Sequence, residues 1–281
     1  MPENTRAING KLPDRRNDGN PLDTAAHLAR IAERAAAGAA AFLLDAGRPD
    51  RSVWATKGHH DFVTEVDRGA EARIRSDLLS AEPESRVLGE EFSPDQADLG
   101  GLVWVVDPLD GTTNYLHGYP WWSVSVAAML DGEIVAGCVF NVPAHRRYTA
   151  WRDGGAWCGS ERLAVSTIDD PGEALIGTGF PFKTPDDLPA YLDQARRIFP
   201  ATSGVRRAGS AALDLAAVAA GQFDGFWELT LAPWDKAAGI LLIREAGGVV
   251  TDLAGQPARA TQGGVVAGNP AVHAWLMARL R

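Results

Sequence analysis

The spacing of apolar residues changes character twice along the chain. From Leu22 it is helical and alanine-rich, running through Leu28, Ile31, Ala35 and Ala39 to about Leu44, and Gly47-Arg48-Pro49 ends it. A second helix is predicted after Thr64. Its Ala70, Ile74 and Leu78 recur four apart and so share one face, and Glu82-Pro83 supplies the stop. The period then shortens to that of strands at 86–88, 102–106, 122–129 and 133–140. Asp131-Gly132 joins the last two as a two-residue hairpin signal, and Asp153-Gly154-Gly155 marks another turn before Ala156. Further on, helices are predicted at 188–198, 210–220, 236–245 and 271–280, with short strands at 225–229 and 248–251. This order predicts a mixed α/β (α+β) fold with an antiparallel portion. Residues 1–20 mix charges with Asn, Gly and Pro without an apolar period and read as a flexible extension. Residues 21–281 form the folded unit, with subhalves at about 21–165 and 166–281 and a seam between Ser160 and Pro171.

Composition narrows the function classes. The 281 residues carry a net charge of −9 and no run of Lys and Arg, so the footprint of a direct nucleic-acid binder is missing. Gly and Pro are plentiful, 30 and 17, but follow no fixed period, which excludes a collagen-like chain. No apolar stretch reaches the ~18 to 20 residues of a membrane span, and no apolar signal core opens the chain. A soluble, cytoplasmic protein with no membrane partner is expected. Cys138 and Cys158, the only cysteines, make neither a zinc site nor a disulfide framework and read as buried thiols.

The chemistry concentrates where an apolar strand, Trp104-Val105-Val106, runs into Asp107-Pro108-Leu109-Asp110-Gly111-Thr112-Thr113-Asn114. Pro108 stiffens the turn that presents the two carboxylates, and the Leu109 carbonyl can join them as a hard oxygen ligand. If Gly111 to Asn114 open a helix, their free N–H groups form an anion site beside the cation ligands. Helix capping is the alternative role for both acids. An EF-hand is excluded, because the acids lie three apart and Gly118 stands where its bidentate Glu belongs. A haloacid-dehalogenase-type phosphatase is excluded as well, since its two Asp are separated by a single residue.

Three more acidic clusters accompany this one: Asp61-Phe62-Val63-Thr64-Glu65-Val66-Asp67, Gly89-Glu90-Glu91 and Pro233-Trp234-Asp235. In this order the four motifs resemble the inositol monophosphatase family of metal-dependent, lithium-sensitive sugar phosphatases, over roughly 22–280. The resemblance implies a layered α-β-α-β-α sandwich and commonly a homodimer. It further implies that Glu90, Asp107, Asp110 and Asp235, with the Leu109 carbonyl, hold two or three Mg²⁺ ions. Thr112, paired with Asp67, would orient the attacking water, making Glu90, Asp67 and Thr112 the catalytic set. Gly111, Thr112 and Lys57 would meet the phosphate. The charges agree, since Glu90, Asp107, Asp110, Asp235 and Asp67 would repel a phosphate monoester of about −2 unless cations intervene. Oxygen-only ligation selects Mg²⁺, with Mn²⁺ as substitute, over Zn²⁺.

By the same resemblance the sugar hydroxyls would meet Gly209, Ser210, Ala211 and Glu228, with a surface strand-end acid as the alternative for Glu228. Asp214 reads as a helix residue with a structural partner, Trp121, Trp122, Trp227 and Trp234 as core or wall aromatics, and His59 and His60 as exposed loop residues. The expected substrate is a small phosphate ester, inositol-1-phosphate first. Fructose-1,6-bisphosphatase, histidinol-phosphate phosphatase and 3′-phosphoadenosine-5′-phosphate phosphatase activities are alternatives, as is a regulatory partner of the bacterial transcription and ribosome-assembly machinery.

Overall fold

The computed structural model describes residues 21–58, 61–63, 65–92, 99–182 and 184–281. The chain opens with the long helix α1 (Pro21–Ala46), a hairpin of β1 (Ala55–Gly58) and β2 (Asp61–Val63), and α2 (Glu65–Ala81). There follow β3 (Arg86–Gly89), β4 (Leu102–Asp110), the short α3 (Thr112–His117), β5 (Ser123–Leu130), β6 (Glu133–Asn141), β7 (Arg146–Trp151), β8 (Gly155–Cys158) and β9 (Glu161–Arg162). The last stretch holds β10 (Leu175–Thr178), α4 (Leu188–Ile198), β11 (Gly204–Arg206), α5 (Ala211–Ala219), β12 (Gly225–Leu231), α6 (Pro233–Glu245), β13 (Val249–Thr251), β14 (Gly263–Gly268) and α7 (Pro270–Leu280).

Strands β3 to β9 form one seven-stranded sheet in sequence order, all antiparallel except the β3–β4 pair. A second sheet has the order β11-β10-β12-β14-β13 and is mixed. Helices α1 and α2 cover one face of the first sheet, α5 and α6 lie between the two sheets, and α4 and α7 cover the far face of the second. The result is the expected α-β-α-β-α sandwich. Each sheet is thus buried on both faces. Strand β4 consequently reads as an unbroken apolar run, with Trp104 and Val106 facing α1 and α2 and Val103 and Val105 facing the middle helices.

The helices follow from their stripes. Leu28, Ile31, Ala35, Ala39 and Leu43 are buried along α1, and small alanines let the helix lie close on the sheet. In α2 the buried positions are Asp67, Ala70, Glu71, Ile74 and Leu78, so an otherwise apolar face carries two carboxylates. Asp131 and Gly132 both take positive φ, 51° and 83°, as a two-residue hairpin between β5 and β6 requires. Strands β1, β2, β7, β8, β9, β10, β11 and β14 are not part of the sequence expectation; all are short, and the ladder each makes with its partner defines it. Cys138 is buried as expected, but Cys158 is only half-buried and accepts a hydrogen bond from Arg146 Nε at 3.3 Å.

Ile74, fully buried between α2 and the sheet, gives a direct test of this packing. Ile74→Ala should cost about 2 to 5 kcal/mol, read as a lower urea midpoint with an unchanged slope.

Candidate active site

Strand β4 ends in a bulge. Asp107 pairs with Ser125 and Asp110 with Ser123, so three steps on β4 match two on β5 across Pro108 and Leu109. In a regular strand, residues three apart face opposite sides of the sheet. The bulge cancels that alternation and brings both carboxylates to one side, where Asp235 joins them from the first turn of α6. One ligand atom from each of Asp107, Asp110 and Asp235 lies within 4.8 Å of the others.

Each acid is also held by the backbone. Asp107 Oδ1 accepts the N–H of Leu109 at 2.9 Å. Asp110 Oδ2 accepts from Ala212 N–H at 2.9 Å and from the Ser210 hydroxyl, closing over the first turn of α5. Asp235 Oδ2 accepts the N–H of Ala232 at 2.7 Å and so caps its own helix. Helix capping and clustering therefore coexist. Gly111, at φ 91°, turns β4 into α3; a side chain there would press on the carbonyls of Trp121 and Gly209 at 3.1 and 3.2 Å.

The electrostatics follow from burial. Desolvation lifts the Asp107 pKa well above the carboxylate range, and the charges of Glu90, Asp110 and Asp235 add to it, against the Leu109 N–H. Burial likewise pushes Asp110 up to about 6, although Ser210 and Ala212 pull it down. Lys236, the next residue on α6, is buried and donates to Gly263 O at 2.7 Å, and burial draws its pKa down to about 8. Three oxygen ligands this close, two of them buried, fit a hard divalent cation that cancels their repulsion.

The cluster lies in a cleft of about 600 Å³ that Glu90, Leu109, Gly111 and Thr112 also line. Glu90 stands on the turn after β3 and is half-buried. It raises the pKa of Asp107 and Asp110 by its charge but lies outside the mutual 4.8 Å set. Asp67, buried on α2, accepts from the Thr112 hydroxyl at 3.3 Å, which brings together residues expected to pair; Leu109 O is the hydroxyl's other acceptor at 3.0 Å. Gly209, Ser210, Ala211 and the half-buried Glu228 line the same cleft. Desolvation raises the Glu228 pKa well above its usual range, with Asp235 and Asp214 adding and Arg207 opposing. Lys57 lies on β1, but its side chain, like all of His59 and His60, is outside the described residues.

Other residues shape the cleft. Asp214 is buried on α5, lines the cleft and accepts from Trp121 Nε1 at 3.1 Å, the structural partner anticipated for it. Trp227 is fully buried, and Trp234 stands in the wall. Phe182, beneath the Arg207 guanidinium at 5.0 Å, and Gln262 belong to the wall without any sequence signal having singled them out. Glu71 also escaped the sequence reading, although an acid on the apolar face of α2, four residues after Asp67, was its signal.

Similarity to inositol-1-monophosphatases at 45–48% identity, on this layered fold, places the chain among the phosphoric monoester hydrolases. More narrowly, the chain belongs to the inositol monophosphatase family, whose model matches residues 25–281. It is 48% identical over 213 residues to an inositol-1-monophosphatase of Rhizobium meliloti (strain 1021), covering 76% of this chain and 80% of that protein. It is 45% identical over 217 residues to the Nus factor SuhB of Pseudomonas aeruginosa, covering 76% and 80%. The crystal structure of extragenic suppressor protein suhB from Bartonella henselae superposes with a TM-score of 0.81 at 39% identity, covering 90% of this chain and 97% of that one. No helix among the described residues is long and apolar enough to cross a membrane.

A pH dependence follows from Asp110. Its folded-state pKa is raised, so the cation-free protein loses stability as pH climbs from the ordinary carboxylate range through about 6, where the ionised form takes over. A divalent cation needs that ionised form. The rise in melting temperature on adding Mg²⁺ should therefore be small at pH 5 and grow as pH passes about 6, measured by differential scanning fluorimetry.

Proposed function

We propose that this chain is a Mg²⁺-dependent phosphatase of small polyol or sugar monophosphates, inositol-1-phosphate first among them, acting by direct water attack without a phosphoenzyme. The observation that carries the reading is the Asp107–Asp110–Asp235 cluster in a cleft that also holds the Thr112–Asp67 pair and Glu228. Asp107, Asp110, Asp235, Glu90 and the Leu109 carbonyl would hold two or three Mg²⁺ ions, with Mn²⁺ as substitute. Such ions supply the positive charge that lets a phosphate dianion enter an acidic cleft, and they lower the pKa of water.

The residues of the chain do the positioning. With the Leu109 carbonyl assigned as a ligand, Asp67 accepts the Thr112 hydroxyl proton, and the lone pairs of Thr112 Oγ1 are left to accept from the attacking water. That hydrogen bond aims the oxygen of the water at phosphorus. The new P–O bond forms as the ester P–O bond breaks; the attacking water gives up one proton to solvent and the leaving alkoxide takes one from solvent, so the products are the alcohol and phosphate. The N–H groups of Gly111 and Thr112, at the start of α3, would meet the phosphate, and Lys57 is assigned to it by the family resemblance alone. In the same cleft, Glu228 accepts from vicinal hydroxyls, while Gly209, Ser210 and Ala211 let the sugar approach the backbone closely.

Phosphate release from a panel of esters, with and without Mg²⁺, tests the reading; the largest kcat/KM should fall on inositol-1-phosphate, ahead of fructose-1,6-bisphosphate and histidinol phosphate. A second reading rests on the 45% identity to a protein named Nus factor SuhB: a regulatory partner of the transcription machinery. A folded, Mg²⁺-loaded chain that hydrolyses none of the panel would favour it.

Two variants probe the roles. Asp235→Asn should lower turnover more than tenfold at saturating Mg²⁺ while leaving the melting temperature of the cation-free protein unchanged or higher, because one of the mutually repelling charges is gone. Glu228→Gln should lower kcat/KM for inositol-1-phosphate about ten- to a hundredfold and barely change hydrolysis of an aryl phosphate without hydroxyls, since a charge-assisted hydrogen bond is worth ~1.5 to 3 kcal/mol.

A further inference from the structure

The proposed chemistry leaves one fully buried carboxylate unused. Glu71 has no exposed surface and stands on α2 one turn beyond Asp67. Its Oε2 accepts the N–H of Glu91 at 2.6 Å, and its Oε1 that of Phe92 at 3.3 Å. The N–H of Glu90 itself donates to Val106 O at 3.3 Å. Three consecutive N–H groups after β3 are therefore held, one by β4 and two by Glu71.

The contact is close on every side. A side chain at Gly89 would bring its Cβ to 2.1 Å from Glu71 Oε1, so only glycine lets β3 pass over the carboxylate. Arg75 stands 3.8 Å from Oε1 and donates to Val87 O at 3.1 Å, tying the same helix to the same strand. Burial raises the pKa of Glu71, and the N–H groups of Glu91 and Phe92, with Arg75, act against that rise.

This arrangement is costly for a turn that reaches solvent. Phe92 is 49% exposed and Glu91 is half-buried, so the turn itself lies at the surface while its two N–H groups point inward to Glu71. Burying a carboxylate to hold them carries a desolvation cost. What the carboxylate adds is a fixed backbone at residue 90.

We propose that Glu71 is a positioning residue for Glu90: by clamping the N–H groups of Glu91 and Phe92 it fixes the backbone from which the Glu90 carboxylate addresses the Asp107, Asp110 and Asp235 cluster. This role rests on Glu90 acting as a cation ligand, as proposed above. Together with Asp67 it makes one face of α2 responsible for two parts of the site, the Thr112 hydroxyl and the Glu90 turn.

Mn²⁺ titration of the purified full chain, followed by the electron paramagnetic resonance signal of free ion, reads the site without turnover. Glu71→Gln keeps the volume but turns an NH₂ group toward one of the two N–H donors. The Mn²⁺ dissociation constant should weaken by about tenfold, as expected for outer partners of a metal site, and kcat should fall similarly while KM for inositol-1-phosphate stays within about twofold. Glu71→Asp keeps the charge but withdraws it by one methylene, should give an intermediate loss, and decides by the same criterion if the Gln variant does not fold. Wild-type Mn²⁺ affinity in the folded variants, with only a lower melting temperature, overturns the proposal and leaves Glu71 a structural residue. A wild-type chain that binds Mn²⁺ but hydrolyses no ester refutes the phosphatase reading alone, and the Mn²⁺ comparison still decides the role of Glu71. A wild-type chain that binds no Mn²⁺ overturns both.

Discussion

Mutual repulsion among carboxylates at one buried corner is the constraint around which this structure is organised. Asp107, Asp110 and Asp235 have ligand atoms within 4.8 Å of one another, and burial raises the pKa of the first two. Nothing intrinsic to the side chains favours that arrangement. It persists because each carboxylate is tied to backbone N–H groups of a rigid element: the β4 bulge, the start of α5 and the start of α6. The energy that holds the acids together comes from the apolar packing behind them, where β4 is buried on both faces.

The cleft exists only where the two sheets meet across the middle helices. Asp110, from the first sheet, bonds Ser210 and Ala212 at the start of α5. Asn114 donates to both Trp121 O at 2.6 Å and Ala208 O at 2.9 Å, and Trp121 donates to Asp214 on α5. The bonds from Asn114 to Ala208 and from Trp121 to Asp214 tie the β4–β5 connection to α5 and the segment leading into it, and the bond from Asn114 to Trp121 O braces the connection itself. They hold the start of α5 against the acids of β4. The acid cluster itself needs both parts of the chain, since Asp107 and Asp110 come from β4 and Asp235 from α6.

Helix α2 serves this corner from a third direction. Its buried face mixes Ala70, Ile74 and Leu78 with Asp67 and Glu71, and the apolar members set the depth at which the two acids stand. One i, i+4 spacing thus places a partner under Thr112 and another under the turn that carries Glu90. The same geometry explains why an amphipathic pattern there carries charge on its inner side. Those charges have backbone or hydroxyl donors waiting for them.

Local pattern by itself determined a large part of this protein. The 3.6 period in α2, the helix at 188–198, the Asp131-Gly132 hairpin and the run from β4 into Asp107 and Asp110 are all set by neighbours in sequence, and so were legible there. The order of the four acidic motifs identified the family for the same reason, since each motif is contiguous. Strands such as β7 and β14 were not legible, because a short strand is defined by the partner whose N–H and C=O groups it meets. Nor was the bulge that turns Asp107 and Asp110 to one side, the bond from Ser210 at the start of α5 to Asp110, or the burial of Glu71 under the Glu90 turn. Which residues carry oxygen ligands is a property of the chain; which of those oxygens come within 4.8 Å is decided by packing, because only a buried apolar core supplies enough energy to hold like charges together.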